Sequence, residues 1–327
     1  KDYPMLKKVV LILIPVLILT SSCHHNARSF HFSYLVEILP NEGNTTRIWL
    51  PIPQSSKHQK IQNLNIDSEI EYKLKTEKTH NNTYLLAEFK GEIESSKTIH
   101  LQFDVIRMEQ KDDIAKAEFS NYLSPTSMVP VDGRFENILD ENGLSHGNMR
   151  GIYDFVLDKM SYGKPKVSGD KYARKFPVAL SSYLSGEGWG RGDANYACDV
   201  GVGNCTDFHS YFMSLSRSSG VPARFHMGFP IPDNKEGDIS GYHCWADFYD
   251  SEKGWIPVDI SEADKHPELA DYYFGTIDPH RVEFTIGRDL KLEELSTGTT
   301  NYFIYPIMEI DGVPSNSFIK RFSYNNL

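Results

Sequence analysis

The first third of the chain alternates between apolar and polar positions. Phe30, Phe32 and Tyr34 are each followed by a mostly polar neighbour, and the alternation is cleaner still at Ile99 and Leu101. A period of two is the mark of a strand with one buried face. Shorter strands are predicted at 46–50, 70–74 and 84–89, with turns rich in Asn, Gly and Ser between them. We therefore predict an N-terminal β-sandwich-like domain over residues 28–112, a support or binding module that ends in the polar stretch 110–116.

Beyond residue 112 the apolar spacing becomes helical. Residues from Met149 to Met160 predict one helix, and a second is expected to begin at Cys205, with Phe208 and Phe212 on one face, and to stop at Gly220. Residues 117–145 and 163–204 read mainly as loops. Strands are predicted at 221–229, 242–249 and 255–260, and strand-like segments such as 302–310 occupy the tail. A helix packed on an antiparallel sheet defines an α+β core, assigned to residues 113–327.

Residues 1–27 are predicted to be a signal peptide and tether. Lys7 and Lys8 precede an apolar run over 9–19, which is shorter than the about 20 residues that span a bilayer. Small residues then precede Cys23, and Met5 would be the start. This arrangement is that of a bacterial lipoprotein, in which a lipid on Cys23 contacts the membrane. We expect a cell-envelope location, periplasmic or at the outer membrane; the alternative is a secreted protein cut near Cys23.

Charge narrows the classes of partner. The 327 residues include 44 Asp and Glu against 34 Lys and Arg, for a formal net charge of −10. An acidic chain without basic runs argues against a nucleic-acid partner. The length is that of two domains with sizeable cores.

Three residues carry the candidate chemistry: Cys205, His243 and Asp259. Cys205 follows Gly203 at the predicted helix start, and the other two lie on neighbouring predicted strands. A thiol that attacks, an imidazole that activates it and a carboxylate that orients the imidazole form an acyl-transfer site. The positive end of the helix favours a thiolate, and backbone N–H groups there can stabilise an oxyanion.

The spacing of His243 and Asp259 predicts that they meet. The turn 250–254 is centred near Ser251, and the two residues lie at nearly equal distances on either side of it. Directly opposed side chains on antiparallel strands approach to about 5 Å. We therefore expect them to be cross-strand neighbours.

Several motifs over residues 185–265 resemble the transglutaminase-like superfamily, and in particular its bacterial candidate cysteine peptidases. The motifs are Gly203-Asn204-Cys205, Gly220-Val221-Pro222-Ala223-Arg224, His243-Cys244-Trp245-Ala246-Asp247 and Gly254-Trp255-Ile256-Pro257-Val258-Asp259. The resemblance implies a papain-like core that acts on a protein or peptide, with Cys205 as nucleophile, His243 as base and Asp259 as orienter. It also makes Cys205 the free thiol, in which case Cys198 and Cys244 could pair as a disulfide.

Other functions remain open on the residues alone. Five residues carry sulfur or nitrogen atoms that suit zinc: Cys198, Cys205, His209, His243 and Cys244. They lack a CxxC or HxxxH pair, and the adjacent residues His243 and Cys244 are expected to point to opposite faces of their strand. We therefore expect neither metal nor cofactor. A non-catalytic envelope binding module is a further alternative.

Hydrolysis is favoured over transamidation of protein glutamine. The charged, glycine-rich stretch 186–199 predicts an open, wet cleft rather than a dry amine channel. Core packing is the default interpretation of Trp189, Trp245 and Trp255. His209 shares a helix face with Cys205 and could touch substrate, but packing or a surface position is the favoured interpretation.

Overall fold

The structure is a computed structural model that describes residues 27–111, 119–144, 147–165 and 188–327. The predicted signal peptide and Cys23 lie outside these residues, as does the start of the predicted cleft at 186. No helix in the described ranges is both long and apolar enough to cross a membrane.

Most strands belong to two five-stranded sheets and one four-stranded sheet. The first sheet has the order β10 (Glu236–Asp238), β16 (Phe318–Asn326), β1 (Ala27–Ile38), β6 (Lys97–Met108) and β3 (Gln59–Ser68). The second has the order β15 (Val313–Pro314), β14 (Ile307–Ile310), β2 (Thr45–Ile52), β5 (Thr83–Lys90) and β4 (Tyr72–Thr76). The third has the order β12 (Gly254–Val258), β11 (His243–Asp250), β9 (Ala223–Pro230) and β13 (Arg281–Ile286). A short parallel pair joins β7 (Ser161–Tyr162) to β8 (Val202–Gly203).

The described helices are fewer than the strands. They are α1 (Ser120–Leu123), α2 (Gly133–Glu141), α3 (Met149–Lys159), α4 (Ala194–Val200), α5 (Cys205–Ser218), α6 (Ile260–Lys265) and α7 (Ala270–Tyr273), with a 3-10 turn at Pro267–Leu269. The α+β class is confirmed. Helix α2 lies in a stretch predicted to be loop, because its apolar face is short and buries only Phe135 and Leu139. Asp132 caps it by accepting a hydrogen bond from Arg134 N.

The predicted alternation along β1 and β6 is confirmed. Phe32 and Phe103 face each other across the ladder, both fully buried, with ring centroids 5.3 Å apart. Phe32 also contacts Phe229 and Phe284, which belong to the four-stranded sheet. These contacts show that the N-terminal sheet shares its core with the four-stranded sheet that carries the site. Each such ring removed from water contributes about 1.5–3 kcal/mol to stability.

The tail returns to both N-terminal sheets. Strand β16 pairs with β1 over its whole length, and β14 pairs with β2. The division at residue 112 did not anticipate this, because periodicity shows that a tail segment is a strand but not which strand it joins. Residues from both ends of the chain therefore complete the sheets of the N-terminal domain.

Helix α5 supports the site. Nearly all of its residues are buried, and it packs between α4, α3 and the face of β11. Asn204 caps its start, where the Asn204 side chain accepts from Thr206 N at 2.9 Å. The helix ends before Gly220, which has a φ of +83° that favours glycine. The predicted start and end of this helix are both confirmed.

Candidate active site

Cys205 is the first residue of helix α5 and is 1% exposed. The helix start is held by a capping box, in which Asn204 N donates to Asp207 Oδ2 at 3.0 Å while the Asn204 side chain caps the helix. The position places the sulfur at the positive end of a 14-residue helix.

Asp207 also ties a loop to this helix start. Its carboxylate accepts from Gly190 N and Gly192 N, each at 3.0 Å. Burial raises the pKa of Asp207 to about 6, although the three backbone donors act in the opposite direction. The described part of the predicted cleft, from residue 188, is thereby fixed against helix α5.

His243 and Asp259 are in direct contact: His243 Nε2 lies 2.7 Å from Asp259 Oδ2. They are diagonal rather than directly opposed, because Ala246 pairs with Val258 and a continued ladder would put Asp259 opposite Trp245. Asp259 also lies one residue past β12, where it caps helix α6, and not within the predicted strand 255–260. The predicted meeting is right, and the predicted register is wrong by two residues.

Asp259 is fully buried and accepts four hydrogen bonds. Besides His243, the donors are Arg281 Nη1 at 2.7 Å, Ser261 Oγ at 3.0 Å and Glu262 N at 3.1 Å. Sequence reasoning missed Arg281. It lies 22 residues further along the chain and no local motif marks it.

The charges on these groups reinforce one another. Burial disfavours the carboxylate, but His243 and Arg281 outweigh it and hold the pKa of Asp259 well below its usual range. Burial likewise lowers the pKa of His243, but Asp259, and then Cys205, raise it to about 10. Burial opposes ionisation of Cys205, yet hydrogen bonds from Cys244 and His243 and the imidazolium charge bring its pKa well below that of an ordinary thiol. The site therefore favours a thiolate beside an imidazolium.

The structure does not pair Cys198 with Cys244; both are free, as is Cys205. Cys198 is half-buried beside Arg134, whereas Cys244 is buried and hydrogen-bonds Cys205. The disulfide expectation is wrong because the two thiols have different neighbours. The expectation that His243 and Cys244 face apart fails too, since both reach the Cys205 sulfur.

No cluster of three or more His, Cys, Asp or Glu side chains suited to a metal occurs among the described residues. The five residues considered for zinc do not form one cluster, because the Cys198 sulfur accepts a hydrogen bond from Arg134 instead of joining the others. The expectation that no metal is bound stays a prediction.

His209 is fully buried, as packing predicts. Trp245 and Trp255 are core residues, whereas Trp189 is only partly buried and donates to Gly163 O at 2.7 Å. A cavity of about 340 Å³ lies beside His243. Its other lining residues are Pro230, Ile231, Pro232, Asp233, Glu262, Tyr273, Asp278, His280 and Arg281.

The fold around this site is a transglutaminase-like core. Residues 141–260 match the family model of the transglutaminase-like superfamily, and this range contains Cys205, His243 and Asp259. The chain is 25% identical over 342 residues to an uncharacterized protein of Haemophilus influenzae, covering 92% of this chain and 91% of that protein. It is 30% identical over 76 residues to the uncharacterized protein YebA of Bacillus subtilis, covering 20% of this chain and 10% of YebA.

A solved structure shares the fold over most of the chain. It is a candidate cysteine protease from Cytophaga hutchinsonii, with a TM-score of 0.58, 14% sequence identity and 91% of each chain covered. At that identity the likeness concerns the fold alone.

Proposed function

We propose that this chain is a thiol-dependent acyl-transfer enzyme that acts on peptide or amide bonds, with hydrolysis favoured over transamidation. The observation that carries the proposal is the buried series of contacts from Cys205 through His243 to Asp259. The charge distribution supports it, because a thiolate beside an imidazolium is the reactive form of a cysteine nucleophile.

The proposed reaction has two steps. The Cys205 thiolate attacks the substrate carbonyl, and backbone N–H groups at the start of helix α5 stabilise the oxyanion. His243 gives its proton to the leaving amine, and a thioester remains on Cys205. His243 then takes a proton from water, which attacks the thioester and releases the acid and the thiolate. Asp259 orients the imidazole throughout.

The cavity beside His243 supports hydrolysis. Its lining includes the acidic side chains of Asp233 and Asp278 and the polar ring of His280, and Asp233 is 90% exposed at its side chain. Such a lining admits water to the imidazole. An amine can compete with water at a thioester only where the site is dry and holds the amine in place.

We also propose an envelope location, with a lipid on Cys23 as the membrane tether. The support is the sequence alone: two lysines, a short apolar run and small residues before a cysteine. The substrate would then be a protein or peptide of that compartment. Metabolic labelling with a palmitate analogue, compared between wild type and Cys23→Ala, tests the tether.

The activity is tested with an internally quenched peptide library supplied with a biotinylated primary amine. Wild type, Cys205→Ala and Cys198→Ala are compared, and products are identified by mass spectrometry. Cys198→Ala is the matched control, because it removes a free thiol outside the site. We expect free acids from wild type and Cys198→Ala and none from Cys205→Ala.

Other results would change the proposal. Products that mostly carry the amine would make the chain a transamidase. Cleavage that survives in Cys205→Ala would remove the thiol mechanism. Binding of peptides without turnover in any variant would favour a non-catalytic binding module.

A further inference from the structure

His209 is a buried ionisable residue that the proposed chemistry does not use. It lies one turn after Cys205 on helix α5 and has no exposed surface. Both of its ring nitrogens contact backbone atoms. Nδ1 lies 2.7 Å from the carbonyl oxygen of Cys205, and Nε2 lies 3.1 Å from the backbone N of Ile260.

These two partners determine the tautomer of the ring. The Ile260 N–H can only donate, so Nε2 must present its lone pair. The ring proton is therefore on Nδ1, which donates to the Cys205 carbonyl. Burial lowers the pKa of His209, although Asp259 and Cys205 act in the opposite direction, and so the ring is neutral.

The imidazole joins two segments that are far apart in sequence. Cys205 begins helix α5, while Ile260 is the residue after Asp259 and begins helix α6. The N–H of a first helical residue has no partner within its own helix. The His209 ring therefore satisfies a buried donor and holds the backbone next to Asp259 against the backbone of Cys205.

We propose that His209 is a positioning residue for the candidate triad. Its neutral ring fixes the distance between the backbones of Cys205 and Asp259, and so holds the Asp259 carboxylate where it contacts His243. The expected effect of His209 on turnover rests on the proposed function, whereas its expected effect on the reactivity of the Cys205 thiol does not. A displacement of about 1 Å in such an arrangement can reduce the rate by about 10²-fold.

The ring is close to Asp259 without binding its carboxylate. Nε2 lies 3.8 Å from Asp259 Oδ1, and that oxygen already accepts from Ser261 and Glu262. The influence of His209 on the carboxylate therefore passes through the backbone. This distinguishes its role from that of Arg281, which donates to Asp259 directly.

Two substitutions separate the contacts of His209. His209→Asn retains a short donor for the Cys205 carbonyl but does not reach the Ile260 N–H, and His209→Phe removes both contacts while it fills the ring's volume. Phe212→Leu is the matched control, because Phe212 is a fully buried residue of the same helix outside the triad. This substitution is expected to weaken the packing of helix α5 while both His209 contacts, to the Cys205 carbonyl and the Ile260 N–H, remain.

The first measurement is the pH profile of Cys205 alkylation by iodoacetamide, which needs no substrate. For both His209 variants we expect the midpoint to move up toward that of an ordinary thiol, about 8.5, while Phe212→Leu retains the wild-type midpoint at a lower melting temperature. On a peptide substrate, we expect kcat to fall by about 10-fold to 10²-fold with KM within about two-fold.

A wild-type alkylation midpoint in any folded His209 variant would overturn the inference, whatever its melting temperature. If His209→Phe does not fold, His209→Asn carries the same test. Failure of the proposed function would look different. The wild type would then show no turnover, but the alkylation midpoints of the His209 variants would still lie above the wild-type midpoint.

Discussion

Replacing Asp259 with asparagine is the most informative single change at the site. The carboxylate accepts from His243 and Arg281 on one oxygen and from Ser261 and the backbone of Glu262 on the other. Asparagine keeps one acceptor oxygen and introduces an NH2 group. The remaining amide oxygen can accept from His243 and Arg281 only if the NH2 group takes the place of the other oxygen. Ser261 and the backbone N–H of Glu262, which donate to that oxygen, then lose their acceptor.

The expected effect on His243 follows from its pKa of about 10, against a usual value of 6.5. One pKa unit corresponds to about 1.4 kcal/mol, so the imidazolium is favoured by roughly 5 kcal/mol, and Asp259 is the largest favourable cause. Without the carboxylate, burial dominates and His243 is neutral at pH 7. Cys205 then loses its cationic partner. We expect kcat to fall by about 10⁴-fold, the loss that the corresponding Asp→Asn change causes in a Ser-His-Asp triad.

Asp259→Asn also removes a counter-ion from buried Arg281, whose other carboxylate partner is Asp278. Breaking a buried pair costs roughly 3–5 kcal/mol. Asp278→Asn is therefore the matched control: it should lower the melting temperature by removing the other partner of Arg281, while the His243 contact remains.

The assay combines iodoacetamide alkylation across pH, thermal melting and turnover. Asp259→Asn should shift the alkylation midpoint of Cys205 upward, and Asp278→Asn should not. In the wild type, the raised pKa of His243 means that its contribution to stability is complete below about pH 6.5 and is lost as pH rises through about 10. An unchanged alkylation profile in Asp259→Asn would refute the coupling of thiol, imidazole and carboxylate.

Three further outcomes can be tested on the purified protein. Gly228→Ala should destabilise it by about 1–3 kcal/mol or more in urea melts, because the new Cβ would lie 1.9 Å from the Val282 carbonyl oxygen; wild-type stability would contradict this packing. Asp247→Asn should cost roughly 3–5 kcal/mol by removing the buried carboxylate partner of partly buried Arg224 and of buried His226. Burial lowers the pKa of His226, but Asp247 and Glu283 outweigh it and raise the pKa to about 9. The contribution of His226 to the free energy of unfolding should therefore be complete below about pH 6.5 and fade as pH rises through 9, as melts at a series of pH values would show. Chelation with EDTA should leave thiol reactivity and melting temperature unchanged, and stoichiometric zinc in elemental analysis would contradict this.

Much of the site's geometry could be predicted because its information is local. Cys205 follows a capping residue, and the turn between β11 and β12 brings His243 within reach of Asp259. The diagonal offset was not predictable, since the exact register depends on which residues form the turn and on where β12 ends. Strand β12 ends at Val258, two residues before the predicted end at 260, because Asp259 caps the next helix.

The contributions of distant residues could not be predicted from patterns. Arg281 reaches Asp259 because β13 pairs with β9 on the far side of the sheet, and periodicity does not report strand order. Likewise, Arg288 is almost fully buried, where it donates to Ser210 and to the backbone carbonyl of Gly192. A charged segment such as Gly287-Arg288-Asp289 is more often found on a solvated surface. In both cases tertiary contacts outweigh the local signal.

The pairing of β1 with β16 has a consequence for how the chain folds. Strand β1 lies between β16 and β6, and nearly 300 residues separate Phe30 from its partner Asn326. When synthesis has reached Met108, β1, β3 and β6 are present but β16 and β10 are not, so one side of β1 has no partner strand. The N-terminal domain therefore cannot reach its final form ahead of the rest of the chain, and its closure is a late step that depends on the last strand synthesised.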